Sequence, residues 1–297
     1  MAMLSLEDLS GLVQRHEADL DLEINAFEVD SVSFHGEPRL MGVVNLSSDS
    51  WYRESVCLTT NSAVQRGLVL KSQGAAIVDV GAESSILDAA RVDAGLQESR
   101  LLPVVSELAD AEVLVSVETY LPNVAKAALD AGARIVNLTG PGHSSEIYSM
   151  VASHQAAVII CHVQGENVRT VNRLNLKSDP IPEMLEFFMC EIEKATSEGV
   201  ERIFIDPGLG FYYRNLDDSN ERIAFQMKVF LNSFRLRKLG WPVCHALPHA
   251  FENFGEEVRS AEPFFAVLAA LGKTSLFRTH EVPRTRAVLE TLGAWGS

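Results

Sequence analysis

Eight short apolar runs recur from residue 40 onward, and their spacing constrains the fold of this chain more than any other feature. They fall at residues 40–44, 76–80, 113–117, 134–136, 157–161, 202–205, 243–246 and 275–277. Most are apolar nearly throughout rather than alternating in polarity, as strands buried on both faces are. Between them lie stretches of helical periodicity, clearest in the stripe Leu121, Val124, Ala125, Ala128 and Leu129. Gly74, Gly132, Gly199, Gly240 and Gly272 each stand two or three residues before the next run, where a left-handed helix terminator is expected. This regular alternation predicts an α/β chain folded as a (β/α)8 TIM barrel over residues 39–297. A doubly wound open sheet is the competing architecture, but no GxGxxG follows the first run. Residues 1–38 read as a short N-terminal extension, a hairpin or lid over one end of a single domain.

Charge narrows the partners. Lys and Arg total 25 against 40 Asp and Glu, a net −15, the wrong sign for a non-specific nucleic-acid binder or one that docks on anionic membranes. Cys57, Cys161, Cys190 and Cys244 show no CxxC spacing and read as buried free thiols. The first residues lack a basic segment followed by an apolar one, and no stretch is long and apolar enough to span a bilayer, so a cytoplasmic location is expected.

In a barrel of this kind, function lies where strands run into their following loops. The segment from Arg202 to Phe211 shows the pattern: Ile203, Phe204 and Ile205 lead into Asp206, and Pro207-Gly208 turns the chain. The same junctions elsewhere offer Asn45, Asp79 with Glu83, Glu118, Asn137, His162, and Arg278 with His280. Carboxylates facing adjacent N–H groups, with amides that both donate and accept, suit a flat nitrogen heterocycle with an amino-pyrimidinone edge. Arg278, His280 and Asn45 suit an anion, with Mg²⁺ as its natural companion.

Several blocks carry a resemblance. Met41-Gly42-Val43-Val44-Asn45-Leu46-Ser47-Ser48-Asp49-Ser50-Trp51 is similar to the Met-Gly-Ile-Leu-Asn-Val-Thr-Pro-Asp-Ser-Phe segment of dihydropteroate synthases. Segment 74–84, with Asp79-Val80-Gly81-Ala82-Glu83-Ser84, resembles that family's second signature. Val115-Ser116-Val117-Glu118, Ile135-Val136-Asn137, Asp206-Pro207-Gly208-Leu209-Gly210-Phe211 and Arg278-Thr279-His280-Glu281-Val282 match further blocks in order. The resemblance implies a pterin-binding barrel in which Glu118, Asn137 and Asp206 grip the pterin. It also implies that Asn45, Arg278 and His280 hold pyrophosphate, with Asn45 on Mg²⁺. Asp206, Arg278 and His280 would be the catalytic groups of a transferase of folate biosynthesis. That reaction joins hydroxymethyl-dihydropterin pyrophosphate to p-aminobenzoate and releases pyrophosphate. A homodimer is the assembly it implies.

The chain also departs from the family. Pro248, His249 and Ala250 stand where synthases carry Ser-Arg-Lys, so the pterin-contacting lysine is absent. Ser85-Ile86-Leu87-Asp88 replaces Thr-Arg-Pro-Gly, Arg53 takes the place of a first-loop carboxylate, and Leu138 follows Asn137 where an acid often stands. Arg53, Arg214 and His249 are the replacements available by residue type. Two alternatives therefore stay open: a catalytically silent pterin-binding homologue or partner subunit, and a folate-type pterin methyltransferase serving a corrinoid partner. Tyr212-Tyr213-Arg214-Asn215 could cover a planar ligand or simply pack. Glu166, Arg169 and Arg173 read as loop charges, and Pro248 argues that His249 is a solvated or hydrogen-bonded loop histidine rather than a helical metal ligand beside His245. Phe187, Phe188, Phe225, Phe230, Phe264 and Phe265 read as helix-to-barrel or subunit packing.

Overall fold

The computed structural model of the chain describes residues 3–47, 49, 52–84, 89, 91–170, 177–211 and 218–296. Helix α1 (Leu6–Arg15) opens the chain, followed by a small antiparallel hairpin, β1 (Glu28–Val29) and β2 (Val32–Ser33). Eight parallel strands then form one sheet: β3 (Arg39–Asn45), β4 (Ile77–Gly81), β5 (Val115–Thr119), β6 (Ile135–Leu138), β7 (Ala157–Cys161), β8 (Ile203–Asp206), β9 (Cys244–Ala246) and β10 (Leu276–Thr279). Their spatial order is β8-β7-β6-β5-β4-β3-β10-β9. The outer two meet through one bridge between Ile205 and Val243, where the Ile205 N–H donates to the Pro242 carbonyl at 3.1 Å. The barrel is thus nearly closed, with its thinnest pairing at the β8–β9 seam. This is the (β/α)8 architecture that the spacing of apolar runs predicts; the open sheet is not found.

Each helix follows from local chemistry. Thr59 and Ser62 form a reciprocal capping box at the start of α2 (Thr60–Ser72). Asp93 accepts the Leu96 N–H at 3.0 Å to start α3 (Ala94–Asp110). Pro122 opens α4 (Pro122–Asp130), and the predicted stripe of Val124, Ala125, Ala128 and Leu129 is its buried face. The remaining helices are α5 (Ser144–Ser153), α6 (Ile181–Ser197), α7 (Ser219–Asn232), the single turn α8 (Phe251–Phe254), α9 (Ala261–Leu271) and α10 (Val282–Gly293). Among the described residues no helix is long and apolar enough to cross a membrane. Phe188, Phe230 and Phe265 are fully buried and Phe225 nearly so, whereas Phe264 is exposed. Cys57, Cys161 and Cys244 are buried free thiols; Cys190 is free but exposed, contrary to expectation, because it lies on the solvent side of α6.

The hairpin sits at the amino-terminal end of the strands, opposite the loops that follow them. Phe27 and Phe34 pack edge-on against Phe204 of β8, with ring centroids 5.0 and 4.9 Å away. The Glu28 carbonyl accepts from Arg202 Nε at 2.7 Å, just before β8, and the Asn25 N–H donates to the Gly240 carbonyl at 2.7 Å, shortly before β9. The extension therefore clasps both sides of the seam.

Gly74, Gly132, Gly199 and Gly240 have positive φ, as expected of helix terminators. Gly272 does not: its φ is −82°, and the left-handed residue is Lys273 at 61°. Close approach explains the glycine instead, because a Cβ there would lie 1.8 Å from the Phe230 carbonyl oxygen. Gly272→Ala must force α9 and α7 apart, an overpacking cost of about 1–3 kcal/mol. Urea unfolding should show a lower midpoint with unchanged slope.

Candidate functional site

Six of the eight strands run one or two residues beyond their apolar runs, and those extra residues carry most of the polar side chains. Asn45 ends β3, Glu118 lies in β5, Asn137 in β6, Asp206 ends β8, and Arg278 lies in β10 with His280 just past it. All six line one pocket at the carboxyl-terminal mouth of the barrel. A polar residue at a run's end keeps its place in the sheet when its side chain faces the barrel interior.

Asp79, fully buried in the middle of β4, ties several of these side chains together. Its Oδ1 accepts from Ser116 Oγ at 2.6 Å, and its Oδ2 accepts from Asn137 Nδ2 at 3.1 Å and Arg278 Nε at 2.7 Å. Arg278 also pairs through Nη2 with Glu118 Oε2. Since β10 and β5 are separated by β3 and β4 in the sheet, this guanidinium reaches across the barrel interior. Burial would loosen its proton, but Glu118 and Asp79 hold it on more firmly than usual. Burial pushes the Glu118 carboxyl above its ordinary range, opposed by Arg278 and reinforced by Asp79 and Asp206. Asp79 was visible as a charge interrupting the run Ile77-Val78-Asp79-Val80, but its position gave no sign that it would organise three neighbours.

Asp206 is 4 % exposed. Its Oδ1 accepts the Gly208 N–H at 2.7 Å, so the carboxylate and its Pro-Gly turn are one unit. Gly208 has φ 75°, and a Cβ there would meet the His162 carbonyl oxygen at 2.2 Å. Burial pushes the Asp206 carboxyl up to about 6, against the pull of Gly208 N–H and Arg278. Cys161 Sγ donates to Asn137 Oδ1 at 3.3 Å, fixing the amide that Asp79 holds from its other end.

The opposite side of the mouth is rich in nitrogen. His249, in the loop after β9, and His280 both face Glu262, a fully buried acid at the start of α9. Glu262 Oε1 lies 2.7 Å from His280 Nδ1 and 3.2 Å from His249 Nε2. Burial alone would raise this carboxyl, but His280, His249 and their hydrogen bonds hold it well below the usual range. Burial in turn lowers the His280 imidazole, partly offset by Glu262. Tyr52 packs on both imidazoles, with centroids 5.0 Å from His249 and 4.7 Å from His280. Its hydroxyl donates to Glu281, which Arg259 also grips at 2.6 and 3.1 Å. His249 is thus a loop histidine rather than a helical one, largely buried beside Glu262. Glu262 and Tyr52 were missed: an acid in the first turn of an apolar helix reads as a solvated helix start. Arg222 and Gln226, one turn apart on α7, also line the mouth and were missed.

Several sequence candidates lie elsewhere. His162 is buried edge-on against Phe187 at 4.9 Å, behind the pocket, and burial lowers its imidazole to about 4. His245 is buried in β9 with Nε2 2.6 Å from Ser233 Oγ. Arg53 is exposed and does not line the mouth. Arg169 is no solvated loop charge: it is 7 % exposed and donates to the Ser84 carbonyl at 2.8 Å. Glu83 lines the pocket but braces its loop, accepting from Val92 N–H at 3.0 Å and Tyr120 Oη at 2.7 Å. Ser48, Ser50, Trp51, Ser85, Ile86, Leu87, Asp88, Arg173, and Tyr212-Tyr213-Arg214-Asn215 lie outside the described residues.

A nearly closed parallel barrel with buried carboxylates and amides gathered at one mouth defines a class of small-molecule-binding α/β barrels. The chain belongs to the dihydropteroate synthase family of pterin-binding proteins: the family profile described as "Pterin binding enzyme" matches residues 41–247. It is 32 % identical to the dihydropteroate synthase of Mycobacterium leprae over 266 residues, covering 86 % of this chain and 93 % of that one. The Xanthomonas albilineans dihydropteroate synthase solved with 4-aminobenzoic acid superimposes with a TM-score of 0.77 at 26 % identity, covering 92 % of this chain and 99 % of that one. The same enzyme in complex with 7,8-dihydropteroate gives 0.73 at 25 %, over the same shares of the two chains.

Among the described residues, Arg278 is the cation that pairs with both Asp79 and Glu118. Arg278→Met should therefore destabilise the fold by about 3–5 kcal/mol, because it leaves a buried carboxylate uncompensated. Urea unfolding of the variant against the parent protein measures this; a loss below about 1 kcal/mol would show that the clamp is dispensable.

Proposed function

We propose that this chain binds a hydroxymethyl-dihydropterin pyrophosphate in the barrel mouth and works as a dihydropteroate-synthase-type transferase with weak turnover toward p-aminobenzoate. The observation that carries this reading is the buried grouping of Asp206, Asn137 and Glu118 at one end of the barrel. A carboxylate of Asp206 faces the amino and ring N–H donors of a pterin, while the Asn137 amide, held between Asp79 and Cys161, supplies a fixed polar partner. In the reaction a C–N bond forms from the aryl amine to the exocyclic methylene as the C–O bond to pyrophosphate breaks, and the amine proton leaves to solvent. The buried carboxylate stabilises positive charge that develops on the ring. Arg278 would supply positive charge to the departing anion, and His280 a hydrogen bond.

Mg²⁺ would sit at Asn45. The Asn45 amide is oriented by Nδ2 donating to Ser55 Oγ at 2.6 Å. Its Oδ1 lies on the pocket wall, 4.0 Å from where a Cβ on Gly81 would stand. An amide oxygen is a ligand type that suits a hard cation, which would neutralise phosphate charge. Weak turnover follows from the lining itself: among its described residues the mouth holds Arg222, Arg278 and histidines but no lysine. A ring acceptor then lacks a charged donor worth about 1.5–3 kcal/mol. Steady-state assays with the pterin pyrophosphate and p-aminobenzoate should give slow dihydropteroate formation. Rapid formation would show another donor in the lysine's place, and tight binding without product would leave a pterin-binding homologue.

Asp206→Asn should preserve the barrel but weaken binding of a dihydropterin about 5- to 150-fold, since an NH₂ replaces an acceptor opposite ring donors. The accepting form is the carboxylate, whose native pKa lies at about 6, up from 3.8. A raised native pKa means this group favours the fold at low pH, a contribution lost as pH rises from about 4 through about 6. Ligand affinity runs the other way: steady above about pH 7 and falling about tenfold per unit below 6. Calorimetric titration of both proteins across pH, with parallel thermal melts, tests this. Equal binding by the variant would reduce Asp206 to a turn residue.

A further inference from the structure

The geometry points to a second, transition-metal site at the mouth, in which His249 Nε2, Glu262 Oε1 and His280 Nδ1 bind Zn²⁺ and leave its fourth position open to the pocket. The site is separate from the Asn45 position and holds or fails whether or not a pterin binds. The three ligand atoms lie within 4.8 Å of one another. Tetrahedral zinc with bonds of about 2.0–2.1 Å sets its ligand atoms about 3.3 Å apart. Glu262 Oε1 is already 3.2 Å from one imidazole and 2.7 Å from the other, so an ion needs only a small opening of the cluster.

The rest of the cluster holds these groups as ligands are held. Glu262 Oε2 is committed to the protein: it accepts from Thr279 Oγ1, from the His280 N–H at 2.9 Å and from the Glu281 N–H at 3.2 Å. The carboxylate is therefore fixed through one oxygen and presents the other to both imidazoles, the arrangement that orients a metal-bound carboxylate. Tyr52 lies on one side of His249 and Phe251 stacks on it at 5.2 Å, which fixes the plane of the ring. His249 Nε2 is buried and makes no well-formed hydrogen bond, although it stands beside Glu262. Two nitrogens and one carboxylate oxygen suit Zn²⁺, whereas Mg²⁺ requires oxygen ligands. Because His249 and His280 both line the pocket, the open position would meet water or an anionic oxygen of a bound ligand. Zinc there would act on that oxygen as a Lewis acid. The competing account, two imidazoles resting on a structural carboxylate, predicts no metal uptake.

The test uses the full-length chain carrying Cys190→Ser, which removes the exposed thiol. Chelator-stripped protein is titrated with Zn²⁺ against a chromophoric chelator, and separately with Co²⁺ followed by visible absorption. The expected result is one equivalent of metal, a strong visible Co²⁺ band of the four-coordinate kind, and a melting temperature raised by Zn²⁺. His249→Ala should bind Zn²⁺ at least about 10- to 100-fold more weakly and lose the thermal shift while keeping the native circular dichroism. His249→Gln carries the same test should the alanine variant misfold, and Glu262→Gln should behave alike. Parent protein that takes up no stoichiometric metal at micromolar concentration would overturn the site, as would uptake that His249→Ala leaves unchanged.

Discussion

Arg278 crosses the barrel from β10 to meet Asp79 on β4 and Glu118 on β5, and the mouth is arranged around that crossing. Three charges buried together are tolerable only when each is paired and hydrogen-bonded. Asp79 meets the condition by taking Ser116, Asn137 and Arg278 at once. The fixed Asn137 then stands beside Cys161, next to the strand that ends in Asp206. Remove the guanidinium, and the acids that remain lose the reason for their geometry. Binding chemistry and barrel stability therefore share the same few residues, which is why Arg278 is poorly suited to a test of function by itself and Asp206 well suited.

Most of the architecture could be read from the residues. Continuous apolar runs at regular intervals leave few options beyond a parallel barrel, and Asn45, Glu118, Asn137, Asp206, Arg278 and His280 were recognisable because each interrupts or ends such a run. What could not be read depends on contacts between elements distant in the chain. Glu262 looks like an ordinary first-turn acid; only the packing of α9 against the end of β10 buries it. Asp79 gains its role from a side chain 199 positions away. Arg169 seemed a surface charge until the Ser84 backbone beside it supplied an acceptor. His162 shows the reverse error, since a polar residue at a strand end can turn outward toward a helix as readily as inward.

The mouth has two chemically different halves. Asp206, Asn137 and Glu118 make one wall an acceptor-rich surface fit for a ring with N–H donors. His249 and His280, ordered by Tyr52 and Glu262, make the other a nitrogen-rich surface fit for anions or a borderline metal. The first wall belongs to strands and is held by the Arg278 clamp. The second draws on the loop after β9, which carries Pro248, His249 and Ala250. A rigid barrel lets the loops change chemistry without disturbing the strand ends.

The clasp between the first residues and the β8–β9 seam has a consequence for how the chain comes together. Phe27 and Phe34 leave the ribosome well before Phe204, and Asn25 well before Gly240, the partners that cover or bond them. Until about 170 further residues have been added, those aromatic rings have each other but lack Phe204. The last gap in the sheet and the foot of the barrel are thus completed together, by segments from opposite ends of the sequence. During that interval the nascent chain carries an uncovered apolar surface of the kind that chaperones bind and that promotes aggregation.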